Sequence, residues 1–159
     1  MHRTGAWGGS LGGYISSMLG TEEFEDKVNC VSNNFGPTDY TDKDSNGYNP
    51  EAEERLLEKF FGGVTYEEDP KLYEEASPIT HVSPNDADSW LFTRSTNDKL
   101  VPRSQMTRMI AALTAVGIEV EFYEYKGTGG RHANQLPPQE AQKLNQKKFG
   151  FTEKCLNRQ

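Results

Sequence analysis

Apolar and polar positions along this chain alternate between two spacings. Short apolar runs, typical of buried strands, are each followed by a stretch with apolar residues every three or four positions, as on one face of a helix. The predicted strands span residues 3–7, 28–33, 90–95 and 118–125. This repeated strand–helix order predicts an α/β fold with about four parallel strands, flanking helices and right-handed crossovers.

Small residues predict where the helices end. The first helix begins after Ser10 and stops at Gly20, a later one is capped by Gly117, and the last covers about residues 137–149. The strand over 118–125 carries glutamates among its apolar residues, which suits an edge strand better than a central one. The sheet would therefore have this strand near one side.

An acidic segment, residues 40–76, separates the second predicted strand from the third. It is helical in character and contains no clear strand. Pro50 is placed to start one helix, which Gly62-Gly63 would end. Asp69-Pro70 has the form of the N-cap and first position of another short helix.

The stretch Gly8-Gly9-Ser10-Leu11-Gly12 follows the first predicted strand and has the form Gly-x-Ser-x-Gly. This spacing builds a sharp turn between a strand and a helix, with the serine at its apex. Gly8 and Gly12 would let the strand and helix approach closely. Ser10 is therefore a candidate nucleophile, and the N–H of Leu11 a candidate oxyanion donor. The alternative is an N-capping serine in a glycine-rich turn.

Two further candidates follow later strands, in an order suited to a serine, acid and histidine triad. Asp98 lies in the loop after strand 90–95, and His132 in a glycine-rich loop after strand 118–125. Loops at the carboxyl ends of parallel strands share one edge of the sheet, where ligands bind. The sequence therefore places Ser10, Asp98 and His132 at one edge, as nucleophilic catalysis requires.

Four features together resemble one known family. They are Gly-Gly-Ser-Leu-Gly-Gly at the turn, Ser77-Pro78-Ile79-Thr80 before a strand, Asp98 followed by Val101-Pro102, and His132 after glycines. They resemble the α/β-hydrolase superfamily over roughly residues 3–148, most closely its esterase and acetyl-esterase branch, related to feruloyl-esterase and prolyl-oligopeptidase-like groups. The resemblance implies Ser10 as nucleophile, Asp98 as acid and His132 as base. By analogy, residues 38–80 form a cap-like insertion.

Other polar residues offer alternative assignments. Asp39, at the end of the second strand, is a rival acid, while His81 precedes its strand at the opposite edge and His2 is terminal. No cluster has metal-ligand spacing, and the glycines at 127–130 lack the ending of a phosphate loop, so we expect no metal or cofactor. A further group could line a pocket beside the serine, although ordinary turn chemistry is slightly favoured: Asn33, Asn34 and Tyr40.

Charge and composition limit the classes of partner that the chain could bind. The net charge of −7 argues against nucleic acid and anionic membranes, which bind basic surfaces. No apolar run approaches the ~20 residues of a membrane span, and no signal peptide is visible. The cytoplasm is the default compartment, but a preceding segment would carry any targeting signal, so localisation stays open. We expect Cys30 to be a buried apolar residue and Cys155 a free surface thiol, with no bridge between them.

One departure from the family concerns where the serine lies. The family places its Gly-x-Ser-x-Gly turn in the middle of the domain, whereas here the serine is residue 10. We therefore expect residues 1–159 to correspond to the C-terminal half of a hydrolase domain, without the loop that supplies the second oxyanion donor. The first strand would then be an exposed edge, which favours a homodimer or a complementing N-terminal half.

Three functions follow as expectations. The first is a serine carboxylesterase that cleaves small acyl esters, including those on carbohydrates, through an acyl-enzyme. The second, in the same class, is a peptidase of the prolyl-oligopeptidase type; nothing in the sequence resembles that family's propeller domain, which favours the esterase. The third is a catalytically weak or inactive remnant with a structural or oligomeric role, because losing one oxyanion donor costs about 100- to 1,000-fold in rate.

Overall fold

The computed structural model describes residues 3–21, 28–42, 59–128, 132 and 136–158. These residues form one four-stranded sheet in which all strands are parallel and follow chain order. The strands are β1 (Gly5–Gly9), β2 (Cys30–Asn34), β3 (Ser89–Ser95) and β4 (Glu119–Tyr125). The predicted parallel sheet of about four strands is therefore confirmed, with β1 and β4 at its two edges among the described residues.

Four described helices connect or flank the strands. They are α1 (Leu11–Thr21), α2 (Pro70–Glu75), α3 (Arg103–Ala115) and α4 (Pro138–Leu156), with a short 3₁₀ helix at Pro78–His81 before β3. The described part of the chain has no helix long and apolar enough to cross a membrane.

Both faces of the sheet are covered. On one face, α1 and α3 pack against a core that includes Val31, Trp90 and Phe92, all with no exposed surface. On the other face, α4 contributes Phe151, which packs against Leu91 of β3. The sheet therefore has the two-sided burial that parallel strands require.

Gly20 does not end its helix. It lies within α1, where a Cβ atom would sit 2.4 Å from Val31 Cγ2 and 2.7 Å from the Trp90 ring. The glycine is explained by close packing of α1 on the sheet. By contrast, the predicted stop at Gly117 is confirmed, because this residue follows α3 with a left-handed φ of +86°.

In the acidic segment, the predicted N-cap is confirmed: Asp69 accepts a hydrogen bond from the N–H of Leu72, and Pro70 begins α2. The predicted start of a helix at Pro50 lies outside the described residues. Gly62 and Gly63 both adopt positive φ, which is common where a chain leaves a helix.

The expected burial of Cys30 is confirmed, whereas the expectations of a free surface thiol at Cys155 and of no bridge are wrong. Cys30 in β2 and Cys155 in α4 form a disulfide, and both side chains are buried. The error began with the last helix, which was expected to end near residue 149. It continues to Leu156 because Phe151 and Cys155, four positions apart, both face the sheet.

Candidate active site

Ser10 occupies a strained turn at the end of β1. Its φ of 54° is in the left-handed region, which non-glycine residues rarely adopt. The turn is held at both ends: Ser10 N–H donates to the Asn34 carbonyl at 2.9 Å, and the Ser10 carbonyl accepts from the N–H groups of Gly13 and Tyr14 at 2.9 and 3.1 Å. This arrangement raises the side chain above the sheet edge at the start of α1.

Glycines make room for this turn, although not the pair expected. A Cβ atom on Gly8 would lie 2.3 Å from the Gly12 carbonyl, and one on Gly36 would lie 2.6 Å from the main-chain carbonyl oxygen of Ser10. A Cβ atom on Gly12 would meet nothing within 4 Å. The backbone of Gly12 is thus part of the contact, but the positions that must lack a side chain are Gly8 and Gly36.

Asp98 lies in the tight turn after β3, and its side chain is 1% exposed. One carboxylate oxygen, Oδ1, accepts the N–H groups of Leu100 and Val101 at 2.9 and 3.0 Å. These bonds use the backbone to fix the carboxylate plane. The acid therefore has a defined orientation that does not depend on the histidine.

His132 joins the serine to the acid. Its Nδ1 lies 3.0 Å from Asp98 Oδ2, and its Nε2 lies 2.8 Å from Ser10 Oγ. The imidazole also makes a T-shaped contact with the Phe35 ring, with the two centroids 5.0 Å apart. Phe35 directly follows β2 and has a φ of 49°, so β1 and β2 are each followed by a left-handed residue beside the site.

Leu11 is the first residue of α1, directly after the serine. The first N–H groups of a helix have no acceptor within the helix, so the Leu11 N–H is suited to bind a developing negative charge. Tyr125, the last residue of β4, is a neutral neighbour of the site. Burial, and then the negative charge of Asp98, raise the pKa of its hydroxyl.

The structure separates Asp39 from this chain of hydrogen bonds. Its Oδ2 forms a 2.8 Å ion pair with Arg108, and its Oδ1 accepts from the N–H and hydroxyl of Thr41. His81 contacts the Glu75 carbonyl at 2.7 Å, before β3 and thus away from the catalytic edge, while His2 lies outside the described residues.

The asparagines beside the serine have structural bonds. Asn33 donates to the Ser17 hydroxyl and accepts from the Gly36 N–H, and Asn34 donates to the Gly8 carbonyl. Their side chains therefore hold β1, α1 and β2 together. In the described part of the chain, no group of three or more acidic, histidine or cysteine residues is arranged to hold a metal ion.

An aromatic cluster lies near the turn, and Tyr40 is the one member that the sequence analysis named, as a candidate to line a pocket beside the serine. Tyr14, one helical turn after Ser10, lies edge-on to Tyr40 and Phe60, with ring centroids 5.3 and 5.6 Å apart. Phe61 extends the cluster at 5.5 Å from Tyr40. The sequence does place Tyr14 near the serine, because residues four positions apart lie on the same face of a helix. Its partners Tyr40 and Phe60 come from the acidic segment, whose path cannot be read from the hydrophobic pattern.

A parallel sheet with a left-handed serine between strand and helix, hydrogen-bonded to a histidine and an aspartate, defines the α/β-hydrolase class of serine hydrolases. The sequence model of the prolyl oligopeptidase family, peptidase S9, matches residues 1–159. The chain therefore belongs to the prolyl oligopeptidase family. No curated protein matches it by sequence.

Solved structures with the same fold include peptidases and esterases. An acylaminoacyl peptidase bound to Z-Gly-Gly-Phe-chloromethyl ketone is 22% identical, with a TM-score of 0.80 over 99% of this chain and 24% of that one. The uncomplexed Pyrococcus horikoshii acylaminoacyl peptidase has 21% identity, a TM-score of 0.80, and coverage of 99% and 25%. A truncated carbohydrate esterase from gut microbiota has 22% identity, a TM-score of 0.68, and coverage of 95% and 59%. The chain thus spans about a quarter of the peptidases' length.

Proposed function

We propose that this chain is a serine hydrolase that cleaves small carboxylic esters through a covalent acyl-enzyme. One observation carries the proposal: Ser10 Oγ, His132 and Asp98 form a continuous line of contacts at 2.8 and 3.0 Å. A serine needs an adjacent base, and the base needs an orienting group; this geometry supplies both. We assign Ser10 as the nucleophile, His132 as the base and Asp98 as the acid.

In the first step, Ser10 Oγ attacks the carbonyl carbon of the ester while its proton passes to His132 Nε2. Asp98 accepts the hydrogen bond from Nδ1–H, which holds the ring in the tautomer with Nε2 free and stabilises the imidazolium that forms. The negative charge moves to the carbonyl oxygen, where the Leu11 N–H and the start of α1 would stabilise it. The carbon is then tetrahedral.

Collapse of this intermediate breaks the bond to the alcohol oxygen, which takes the proton from His132 and leaves. The acyl group stays on Ser10 Oγ. A water molecule then gives its proton to Nε2 and attacks the acyl carbon, and the second collapse returns the proton to Ser10 and releases the carboxylic acid. His132 therefore ends each cycle neutral.

Family membership favours a second candidate within this class, cleavage of peptide bonds. The family is named for a peptidase, and the acylaminoacyl peptidases share the fold over 99% of this chain. The same nucleophile, base and acid would serve, with an amine as the leaving group. The carbohydrate esterase shares that fold at similar identity, so the leaving group is decided by experiment.

The test compares the wild type with Ser10→Ala on p-nitrophenyl acetate and butyrate, and on N-acetylated phenylalanine p-nitroanilide. We expect slow release of p-nitrophenol by the wild type and none by the variant, because an alanine offers no oxygen for acylation. Faster turnover of the anilide would select the peptidase. Equal ester rates above the uncatalysed rate would exclude Ser10 as the nucleophile, and no release above that rate by either protein would leave the catalytically inactive alternative.

A further inference from the structure

The buried Arg94 lies beneath the turn that carries Asp98. Its side chain is 5% exposed, and its Nη1 donates to Glu124 Oε1 at 2.6 Å. Its Nη2 donates to the main-chain carbonyl of Asp98 at 3.4 Å. A buried charge is costly unless it is paired and hydrogen-bonded. The bonds of this guanidinium therefore connect the acid's backbone to a fixed carboxylate.

The carboxylate is itself held in place by the sheet. Glu124 lies directly opposite Arg94 in the register of β3 and β4. Arg103, at the start of α3, lies 3.4 Å from the same Glu124 oxygen. Glu124 thus shares a sheet face with Val120 and Phe122, whereas Glu119 and Glu121 lie on the opposite face and pair with lysines of α4. Two strands and one helix meet at this carboxylate, below the acid.

A second contact joins the acid loop to the loop that follows β4. The side chain of Asn97 donates through Nδ2 to the carbonyl of Gly127 at 2.7 Å. The N–H of Thr96 donates to the Tyr125 carbonyl at 2.9 Å, which continues the strand pairing beyond β3. Gly127 precedes His132 by five positions in the sequence. The turn that carries Asp98 is therefore hydrogen-bonded both to the end of β4 and to Gly127, which precedes His132 in the chain.

We propose that Arg94 and Asn97 are positioning residues for the hydrolysis proposed above. Arg94 fixes the backbone of Asp98 from below, and Asn97 fixes Gly127, five positions before His132. Neither touches the reacting atoms. The proposal rests on the proposed function, because it explains how the 3.0 Å contact between Asp98 and His132 is maintained. A displacement of about 1 Å in such a site costs up to about 100-fold in rate.

Asn97→Ala is the decisive variant, because the residue is exposed and its loss does not open the core. We expect kcat for p-nitrophenyl acetate to fall about 10- to 100-fold with KM unchanged. Lys99→Ala is the matched control, since Lys99 is exposed in the same turn; its kinetics should equal those of the wild type. Arg94→Lys keeps the buried charge but not the two-armed geometry, and should also lower kcat.

A readout independent of activity separates positioning from stability. Nitrogen NMR of histidine-labelled protein reports which ring nitrogen of His132 carries the proton, with the signal assigned by His132→Asn. We expect the proton on Nδ1 in the wild type and in Lys99→Ala, and a mixture of tautomers in Asn97→Ala and Arg94→Lys. Thermal unfolding is measured first, and if Arg94→Lys does not fold, Asn97→Ala decides the outcome.

Wild-type kcat and an unchanged tautomer in Asn97→Ala would overturn its assignment, and the same result in folded Arg94→Lys would overturn that of Arg94. Either result leaves the proposed function intact as long as Ser10→Ala is inactive. If Ser10→Ala is active, the proposed function fails instead. The tautomer measurement then still shows whether Arg94 and Asn97 hold Asp98 against His132.

Discussion

Asp98 and Asp39 are both buried aspartates in loops after strands of the same sheet, and their partners differ. Asp98 accepts two backbone N–H groups and leaves its second oxygen facing His132. Asp39 faces the guanidinium of Arg108. Hydrogen bonds from neutral amides leave the charge of Asp98 to act on the imidazole, whereas Arg108 compensates the charge of Asp39 locally.

Asp98→Asn should therefore impair turnover far more than Asp39→Asn. An amide cannot hold the histidine in the tautomer with Nε2 free, and the equivalent change in a serine protease lowers kcat by about four orders of magnitude. The measurement is kcat/KM of both variants on p-nitrophenyl acetate. A larger loss in Asp39→Asn would show that the acid is misassigned.

Thermal unfolding of the same two variants provides the control. Asp39→Asn weakens one of the two ion pairs of Arg108, which also contacts Asp42 and is 47% exposed, so some loss of stability is expected without a loss of catalysis. Rates are compared only at temperatures where both variants are folded. The expected pattern thus separates a structural aspartate from a catalytic one.

Among the elements, α4 is attached to the sheet by a covalent bond as well as by packing. The disulfide joins β2 to the last turn of α4 across 125 residues of sequence. Nearby, Arg3 donates to the Cys155 carbonyl at 2.7 Å and pairs with Asp88 at 2.6 Å. Closing so long a loop removes much conformational freedom from the unfolded chain.

Reducing this disulfide should lower the free energy of unfolding by about 2–5 kcal/mol. The measurement is urea unfolding with and without a reductant. The control is the double variant Cys30→Ser with Cys155→Ser, which should be as unstable as the reduced protein and insensitive to the reductant. Two titratable thiols in unreduced, unfolded protein would contradict the bridge.

The periodic pattern located all four strands to within two residues, because a strand buried on both faces, such as β3, appears in the sequence as a short apolar run. It placed β1 at residues 3–7, whereas the strand is Gly5–Gly9. Two glycines favour a turn locally, but pairing of Gly8 and Gly9 with β2 overrides that preference. The order of the motifs along the chain also predicted that Ser10, Asp98 and His132 lie at one edge of the sheet, where they are in contact.

The hydrophobic pattern could not predict contacts between residues that are distant in the sequence. The Cys30–Cys155 bridge and the Arg94–Glu124 pair each join elements whose alignment depends on the whole sheet. Gly20 was interpreted from its local meaning as a helix stop, while its actual role is contact with the Trp90 ring. Local signals predict elements; register decides which side chains meet.

At the scale of the molecule, β1 is the least covered part of the sheet. Among the described residues it pairs with β2 alone. On one face, Trp7 is 75% exposed and lines a groove of about 280 Å³ with Phe149, which is also 75% exposed. On the other face, Ile15 and Leu19 of α1 are 50% and 37% exposed. Apolar surface thus flanks an open strand edge on both sides.

We propose that two copies of this chain associate through the β1 edge. An open edge offers unpaired N–H and C=O groups to another strand, and exposed apolar residues beside it favour burial. Pairing two identical edges about a two-fold axis is self-complementary and closed, so a dimer is expected rather than a filament. The contact would include β1 and the apolar stripe of α1 that Ile15 and Leu19 form.

Light scattering at micromolar concentration should give a mass near twice the 17.9 kDa of the chain. Ile15→Lys places a charge in the apolar stripe, about a turn and a half of helix beyond Ser10, and should shift the protein towards the monomer. Phe60→Lys is the matched control, since Phe60 is also exposed but belongs to the aromatic cluster near Tyr14. A wild type that stays at 17.9 kDa would contradict the dimer. A dimer equally sensitive to both changes would place its interface on the cluster, not on the β1 edge.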